Sequence, residues 1–180
     1  PSMEVIISLK PDLIILQGEH LGLRKFAEKR KIRYISYQWE GVEGILSGLM
    51  ELSELLGVPE KGAELIAEMR RDFDGPKPKS PVKVLISLGM IQGDGAITTV
   101  NNETFLGELV ELAGGSNVFG KLPVRYPNVP IEEVLQADPD YILEMIPGYP
   151  LTEQEKKSRN AFWKRWKSLS AVKKDKIFYL

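Results

Sequence analysis

The sequence predicts an α/β protein: two lobes with parallel sheets, joined by a long helical stretch. Three observations carry this. Short runs apolar on both faces, such as Leu13 to Leu16 and Val82 to Leu88, alternate with segments of helical period, as buried parallel strands and their crossover helices do. A segment near the start returns, position by position, near residue 132. Between the copies, Val42 to Phe73 is helical in period and ends at the strongest chain break in the sequence.

Glu4 to Lys10 reads as a short helix stopped by Pro11-Asp12, and Leu13 to Leu16 as a buried strand. Gln17 to His20 is a loop, Leu23 to Lys29 a charged helix, and Ile32 to Tyr37 a second strand. Such a unit makes the two strands parallel with a right-handed crossover. Ile45, Leu49, Leu52, Leu55 and Leu56 then form one apolar stripe, which Gly57-Val58-Pro59 interrupts and Ala63, Ile66, Met69 and Phe73 resume. Pro59 suits a first helical position, where its missing N–H costs nothing. Asp74 to Pro81, rich in proline, is the domain boundary. Beyond it, Val82 to Leu88 is a strand, Gly89 to Gly95 a loop, and Ile97 to Val100 a short strand. Asn102 caps a helix from Glu103 to Ala113, which Gly114-Gly115 ends. Glu132 to Ala137 is a short helix, Tyr141 to Met145 a strand, Glu153 to Leu169 a basic helix, and Lys176 to Leu180 the last strand. The organisation is therefore a partial N-terminal lobe (1–41), bridging helices (42–74), a linker (75–81) and a C-terminal lobe (82–180).

Composition narrows the function classes. The 180 residues carry 24 Lys plus Arg against 25 Asp plus Glu, a net charge of -1 with no electrostatic footprint for nucleic acid or an anionic membrane. Hydrophobic residues at 43% are enough for a sizeable core. The absence of cysteine removes disulfides, thiolate metal sites and a cysteine nucleophile. The single histidine, His20, removes any multi-histidine zinc site. No apolar run approaches the roughly 18 residues of a membrane-spanning helix.

In the repeat, residues 4–15 lie on residues 132–143 with a constant offset of 128 positions; Glu, Pro, Asp and Ile coincide and most other apolar positions match in kind. Each copy is a short helix, a Pro-Asp turn and a buried strand. Two readings stand: a local α/β solution reached twice, or two similar lobes. Two such lobes leave a cleft at the carboxyl ends of their strands, the usual ligand site of these sheets. Glu4 and Glu132 then occupy matching places at helix starts, where a carboxylate is favourable in any case.

Five blocks of the chain together resemble one family. They are Glu4 to Ile15; Gly57-Val58-Pro59-Glu60-Lys61-Gly62-Ala63; Asn102 to Leu106 with Ala113 to Phe119; Val129 to Leu135 with Asp138-Pro139-Asp140; and Trp166 to Leu180. In this order and spacing they resemble the class III substrate-binding proteins of ABC importers, which include vitamin B12-, haem- and ferric-siderophore-binding proteins. The resemblance implies two Rossmann-like lobes with parallel sheets joined by a long helix. It also implies a non-enzymatic carrier that takes an iron chelate, haem or corrinoid in the inter-lobe cleft and hands it to an ABC permease. It implies no cofactor, the ligand itself being a metal chelate, and a periplasmic or extracellular, membrane-associated location with any signal or lipid anchor outside this sequence. One glutamate per lobe docks on permease arginines in the family, and these fall on Glu4 and Glu132, with Glu133 as competitor for the second place. Family members carry about one more strand–helix–strand unit before the segment matching Glu4, and further helix after Leu180. The first lobe is accordingly expected to be incomplete and the chain truncated at both ends, either a fragment or one half of a homodimer. Position 130 is Pro where the family usually has Ser, which weakens capping of the helix that follows.

The cleft is expected to be lined by loops after strand ends. These give Gln17, Tyr37, Gln38 and Trp39 in the first lobe, and Met90, Ile91, Arg125, Tyr126 and Tyr149 in the second. Tyr126 stands where the family's B12 binders set an aromatic ring against the ligand; Gln17 stands where they have another aromatic. Trp39 and Tyr37 suit stacking on a macrocycle or catecholate face, or else lobe packing. Arg125 suits a siderophore anion or a haem propionate, or else a solvated surface. His20 is a haem-iron ligand or an exposed loop histidine. Trp163, Trp166, Phe162 and Leu169 are the apolar side of the basic helix, whose lysines and arginines form a solvated face. Asp138-Pro139-Asp140 is a turn, as its twin Pro11-Asp12 is, and Gly93-Asp94-Gly95 is a turn without the flanking residues of a phosphate loop. The competing reading, a cytoplasmic α/β enzyme or nucleotide-binding domain, requires a glycine-rich turn after a strand, a catalytic dyad or metal ligands.

Overall fold

A computed structural model describes residues 2–38, 40–90, 95–145 and 151–180. The chain divides into two units, Pro1–Gly62 and Ala63–Leu180.

In the first unit, α1 (Met3–Leu9) is capped by the Ser2 hydroxyl, which accepts from the Val5 N–H at 3.4 Å, and ends on Lys10 in the left-handed conformation. β1 (Leu13–Gln17) follows, then α2 (Leu21–Arg30), which ends on a left-handed Lys31, and β2 (Arg33–Tyr37). The strands pair in parallel from Leu13↔Arg33 to Gln17↔Tyr37, as the strand–helix–strand reading requires. Ile14, Leu23 and Ala27 form their buried core, with Ile6, Leu16, Phe26, Ile32 and Tyr34 packed around it.

The helical stretch forms α3 (Gly41–Leu55) and α4 (Pro59–Phe73), with Pro59 at the first position of α4 as expected. The apolar stripe read for α3 is displaced. Val42, Leu46, Gly48 and Ser53 are buried, whereas Leu56 is exposed beyond the helix end. Small residues explain the shift: a Cβ at Gly62 would collide with the Ser53 side chain, so this face is set by close backbone approach rather than by leucines.

In the second unit, β3 (Val82–Ser87) is followed by β4 (Gly89–Met90), β5 (Ala96–Thr98), α5 (Phe105–Leu112), β6 (Gly115–Asn117) and β7 (Asn128–Pro130). Then come α6 (Ile131–Ala137), β8 (Tyr141–Glu144), α7 (Glu153–Trp163), α8 (Ser170–Lys173) and β9 (Ile177–Tyr179). A parallel sheet runs in the order β6-β3-β8-β9, and a small antiparallel sheet in the order β4-β5-β7. The central strands β3 and β8 are packed on both sides, which is why they read as largely apolar runs. Leu85 and Ile142 face a core with Phe119, Val134, Trp163 and Leu169; Val84 and Ile86 face a second one with Val100 and Val110.

Two local readings change here. Thr104, not Asn102, caps α5, its hydroxyl accepting from the Gly107 N–H at 3.1 Å. The Asn102 amide instead donates to Glu111 at 3.1 Å. The basic helix stops at Trp163, and a turn through Trp166 and Leu169 leads to α8. Trp163 and Leu169 both sit in one core, which a single straight helix does not allow six positions apart. Asp138 makes the restart possible, accepting from the Ser170 N–H at 2.7 Å and the Ser170 hydroxyl at 2.8 Å.

The repeat is structural. α1 and α6 each have seven residues and each ends on a left-handed residue, Lys10 or Asp138. Their first positions, their caps and the starts of β1 and β8 all differ by 128. β1 then pairs with β2 as β8 pairs with β9. The N-caps differ, since Pro130 offers no side-chain acceptor where Ser2 does.

Candidate ligand-binding surface

Parallel strands bring their carboxyl ends to one edge of a sheet, so side chains there and in the following loops are the natural contacts for a ligand. In the first unit the structure brings Gln17 and Tyr37 together as register partners, tied further by the Gly18 N–H to the Tyr37 carbonyl at 2.9 Å. Gln17 and Gln38 are exposed; Tyr37 is buried. Burial, and then the nearby Glu51 charge, push the Tyr37 hydroxyl above its ordinary pKa of 10.0. Its burial favours the packing role of its two readings. His20 caps α2: its Nδ1 accepts from the Leu23 N–H at 3.1 Å, which gives this exposed loop residue a structural task.

In the second unit, Tyr126 is 57% exposed on the segment leading to β7. Arg125 beside it forms an ion pair with Glu103 at 3.7 Å, while its carbonyl accepts from the Asn101 N–H at 2.9 Å. With its side chain 42% exposed, it is a partly solvated guanidinium that carries a weak surface ion pair. Met90 pairs through its backbone with Ile97. Trp39, Ile91 and Tyr149 lie outside the described residues, as does Asp94 of the glycine turn. Asp138 and Asp140 form the turn expected of them and brace it: Asp140 accepts from the Lys83 N–H at 3.2 Å and pairs with Lys174 at 3.3 Å. Among the described residues, no group of three or more His, Cys, Asp and Glu could hold a metal ion.

Glu4 and Glu132 stand exposed at the second position of the twin helices α1 and α6, with Glu133 exposed next in line.

One group of polar residues has no counterpart in the sequence reading. Ser87, Glu144 and Tyr179 are consecutive partners across β3, β8 and β9, at the carboxyl edge of the parallel sheet. Glu144 is fully buried, and α7 supplies two donors one turn apart: Arg159 forms an ion pair with one carboxylate oxygen, and Trp163 Nε1 donates to the other at 2.7 Å. Arg159 is therefore not part of the solvated basic face. The Arg–x–x–x–Trp spacing was the available signal, with a lone carboxylate ending an apolar strand.

Paired α/β units with candidate contacts at their strand ends are the architecture of an α/β binding protein. The chain belongs to the periplasmic binding protein family, whose sequence profile matches residues 1–180. It is 27% identical over 168 residues to a vitamin B12-binding protein of Vibrio campbellii, a match covering 92% of this chain and 58% of that protein. Over 192 residues it is 24% identical to the high-affinity heme uptake system protein IsdE of Staphylococcus aureus, covering 100% of this chain and 63% of that protein. An ABC transporter substrate-binding protein from Listeria monocytogenes EGD-e superposes with a TM-score of 0.77 at 25% identity, covering 98% of this chain and 70% of that one. The chain thus spans 58–63% of the length of those two curated relatives.

Proposed function

We propose that the chain is the binding part of an extracytoplasmic, non-enzymatic substrate-binding protein. It captures an iron chelate (siderophore or haem) or a corrinoid and delivers it to an ABC permease. The observation that carries this reading is the family match over residues 1–180, joined to a parallel-sheet fold whose candidate contacts lie at strand carboxyl ends. The relatives are named for vitamin B12 and heme, which favours a metal-chelate ligand over the cytoplasmic enzyme or nucleotide-binding alternative.

In this reading Gln17, Gln38, Trp39, Met90, Ile91, Arg125, Tyr126 and Tyr149 contact the ligand, and Tyr37 supports the first unit's share from below. Trp39 and Tyr126 supply flat apolar surface for a macrocycle or catecholate, and Arg125 supplies charge. Glu4 and Glu132 dock on the permease. Two carboxylates at matching helix starts fix orientation at two points, which serves register more than affinity.

The test is tryptophan fluorescence of the purified chain titrated with haemin, cyanocobalamin and a ferric siderophore. Saturable quenching by at least one is expected, weakened by Trp39→Ala or Tyr126→Ala. A flat response to all three overturns the proposal.

A further inference from the structure

Neighbours in parallel register point to the same side of a sheet, so the Ser87, Glu144 and Tyr179 side chains stand in one row under α7. The charges in this row cancel. Glu144 takes the Arg159 guanidinium on one oxygen and the Trp163 indole N–H on the other. What is left over is a surplus of donors. The Ser87 and Tyr179 hydroxyls are buried and have no hydrogen-bond partner among the described residues. Arg159 uses one nitrogen on Glu144 and turns another, Nη2, toward Gly89, lying 3.8 Å from where a Cβ would stand. Its side chain keeps 15% exposure, whereas Glu144 is fully buried.

A buried hydroxyl left unpaired is costly, and the cost is recovered when an acceptor arrives. Two such hydroxyls beside a guanidinium whose rotation is pinned by a buried carboxylate suit one kind of visitor, an anionic oxygen. The row also lies at the carboxyl edge of a parallel sheet, where ligands of such folds are held.

We infer that Ser87, Tyr179 and Arg159 form an anion subsite that takes a carboxylate or phenolate oxygen of the ligand, with Glu144 positioning the guanidinium. This rests on the carrier reading and narrows it. The ligand is a chelate with carboxylate or phenolate arms, such as haem with its propionates or a ferric catecholate, rather than a corrinoid, whose side arms are amides and whose one anionic group is a phosphodiester.

The experiment titrates the chain with haemin, ferric enterobactin and cyanocobalamin by tryptophan quenching, in the wild type and in Ser87→Ala, Tyr179→Phe and Arg159→Lys. At least one acidic probe is expected to bind. Each hydroxyl variant should weaken it roughly tenfold, the size of one hydrogen bond to a charged group. Neither hydroxyl variant should lower the urea midpoint, because the hydroxyls hold no partner among the described residues; a purely structural role would leave affinity unmoved. Acidic-probe affinities within twofold of wild type in both hydroxyl variants overturn the subsite and leave the carrier reading standing. Binding of cyanocobalamin alone does the same. Binding of no probe overturns the carrier reading and the subsite with it.

Discussion

Lys10 and Asp138 stand 128 positions apart and hold nearly the same left-handed backbone, with φ of 46° and 44°. Each ends a seven-residue helix and starts the turn into a parallel strand. Lys31 and Asp175 do the same for α2 and α8, so among the described residues all four non-glycine positive φ values fall at helix-to-strand corners. A left-handed residue is a common helix stop, and glycine usually supplies it because a Cβ is strained there. The corner geometry is shared; the side chains that stand on it have different work.

That difference can be measured. Lys10 is exposed, and among the described residues its side chain makes no hydrogen bond or ion pair. Lys10→Gly relieves a Cβ strain of about 1 kcal/mol and adds unfolded-chain entropy of similar size, so its unfolding free energy should stay within about 1 kcal/mol of wild type. Asp138→Gly relieves the same strain but removes two hydrogen bonds to Ser170 at the start of α8. It should cost about 1–3 kcal/mol in urea denaturation. Equal effects at the two sites would show that the Ser170 contacts contribute nothing.

Acid should find the same residue. The Ser170 N–H and then its hydroxyl, with smaller help from Lys83 and Lys173, hold the Asp138 carboxyl below its ordinary value of 3.8. A group depressed in the fold stabilises above its unfolded pKa and loses that contribution as pH falls through the folded one. The expected result is a stability gap between wild type and Asp138→Asn that is constant near neutrality and closes only as pH falls below about 3.8. Urea midpoints measured from pH 7 downward test it; a gap that narrows well above pH 5 would contradict the assignment.

Tyr179 gives the alkaline counterpart. Burial, reinforced by the Glu144 charge, pushes its hydroxyl up to about 12. A raised pKa in the fold means stability present below the unfolded value of 10.0 and lost as pH climbs toward about 12. Tyr179→Phe removes an unpaired buried hydroxyl, so at pH 7 it should be neutral or stabilising by up to about 1 kcal/mol. It should also flatten the decline above pH 10. Ultraviolet titration of phenolate absorbance should lose its highest-pH component in the variant.

Much of this architecture is written locally. Period and Pro-Asp breaks place β1 and β8, the proline-rich linker places β3, and the 128-residue offset shows in the letters before it shows in the corners. Strands β4, β6 and β7 have two or three residues and no period to read, so only their partners make them strands. The exposed candidates Gln17 and Gln38 follow from strand ends alone, whereas Tyr126 rests on the family resemblance. The Ser87–Glu144–Tyr179 row does not, because its members come from three strands 35 residues or more apart in the chain and meet only through sheet register. Arg159 was read as surface for the same reason. Helical periodicity marks which face is apolar, but not that a carboxylate waits beneath it.

The Glu144–Arg159 pair is the sharpest energetic claim. Glu144 is fully buried and Arg159 is 15% exposed, so removing either partner leaves the other desolvated and uncompensated. Glu144→Leu and Arg159→Leu should each cost about 3–5 kcal/mol, whereas replacing both with leucine should cost much less than the two together. The double-mutant cycle in urea then gives a coupling energy of about 3 kcal/mol or more. Trp163 loses its acceptor whenever Glu144 is removed, so Trp163→Phe belongs in the same set, separating the indole hydrogen bond from the ion pair. Additive single-mutant costs would mean that α7 is held by packing alone and that Glu144 does not fix the guanidinium.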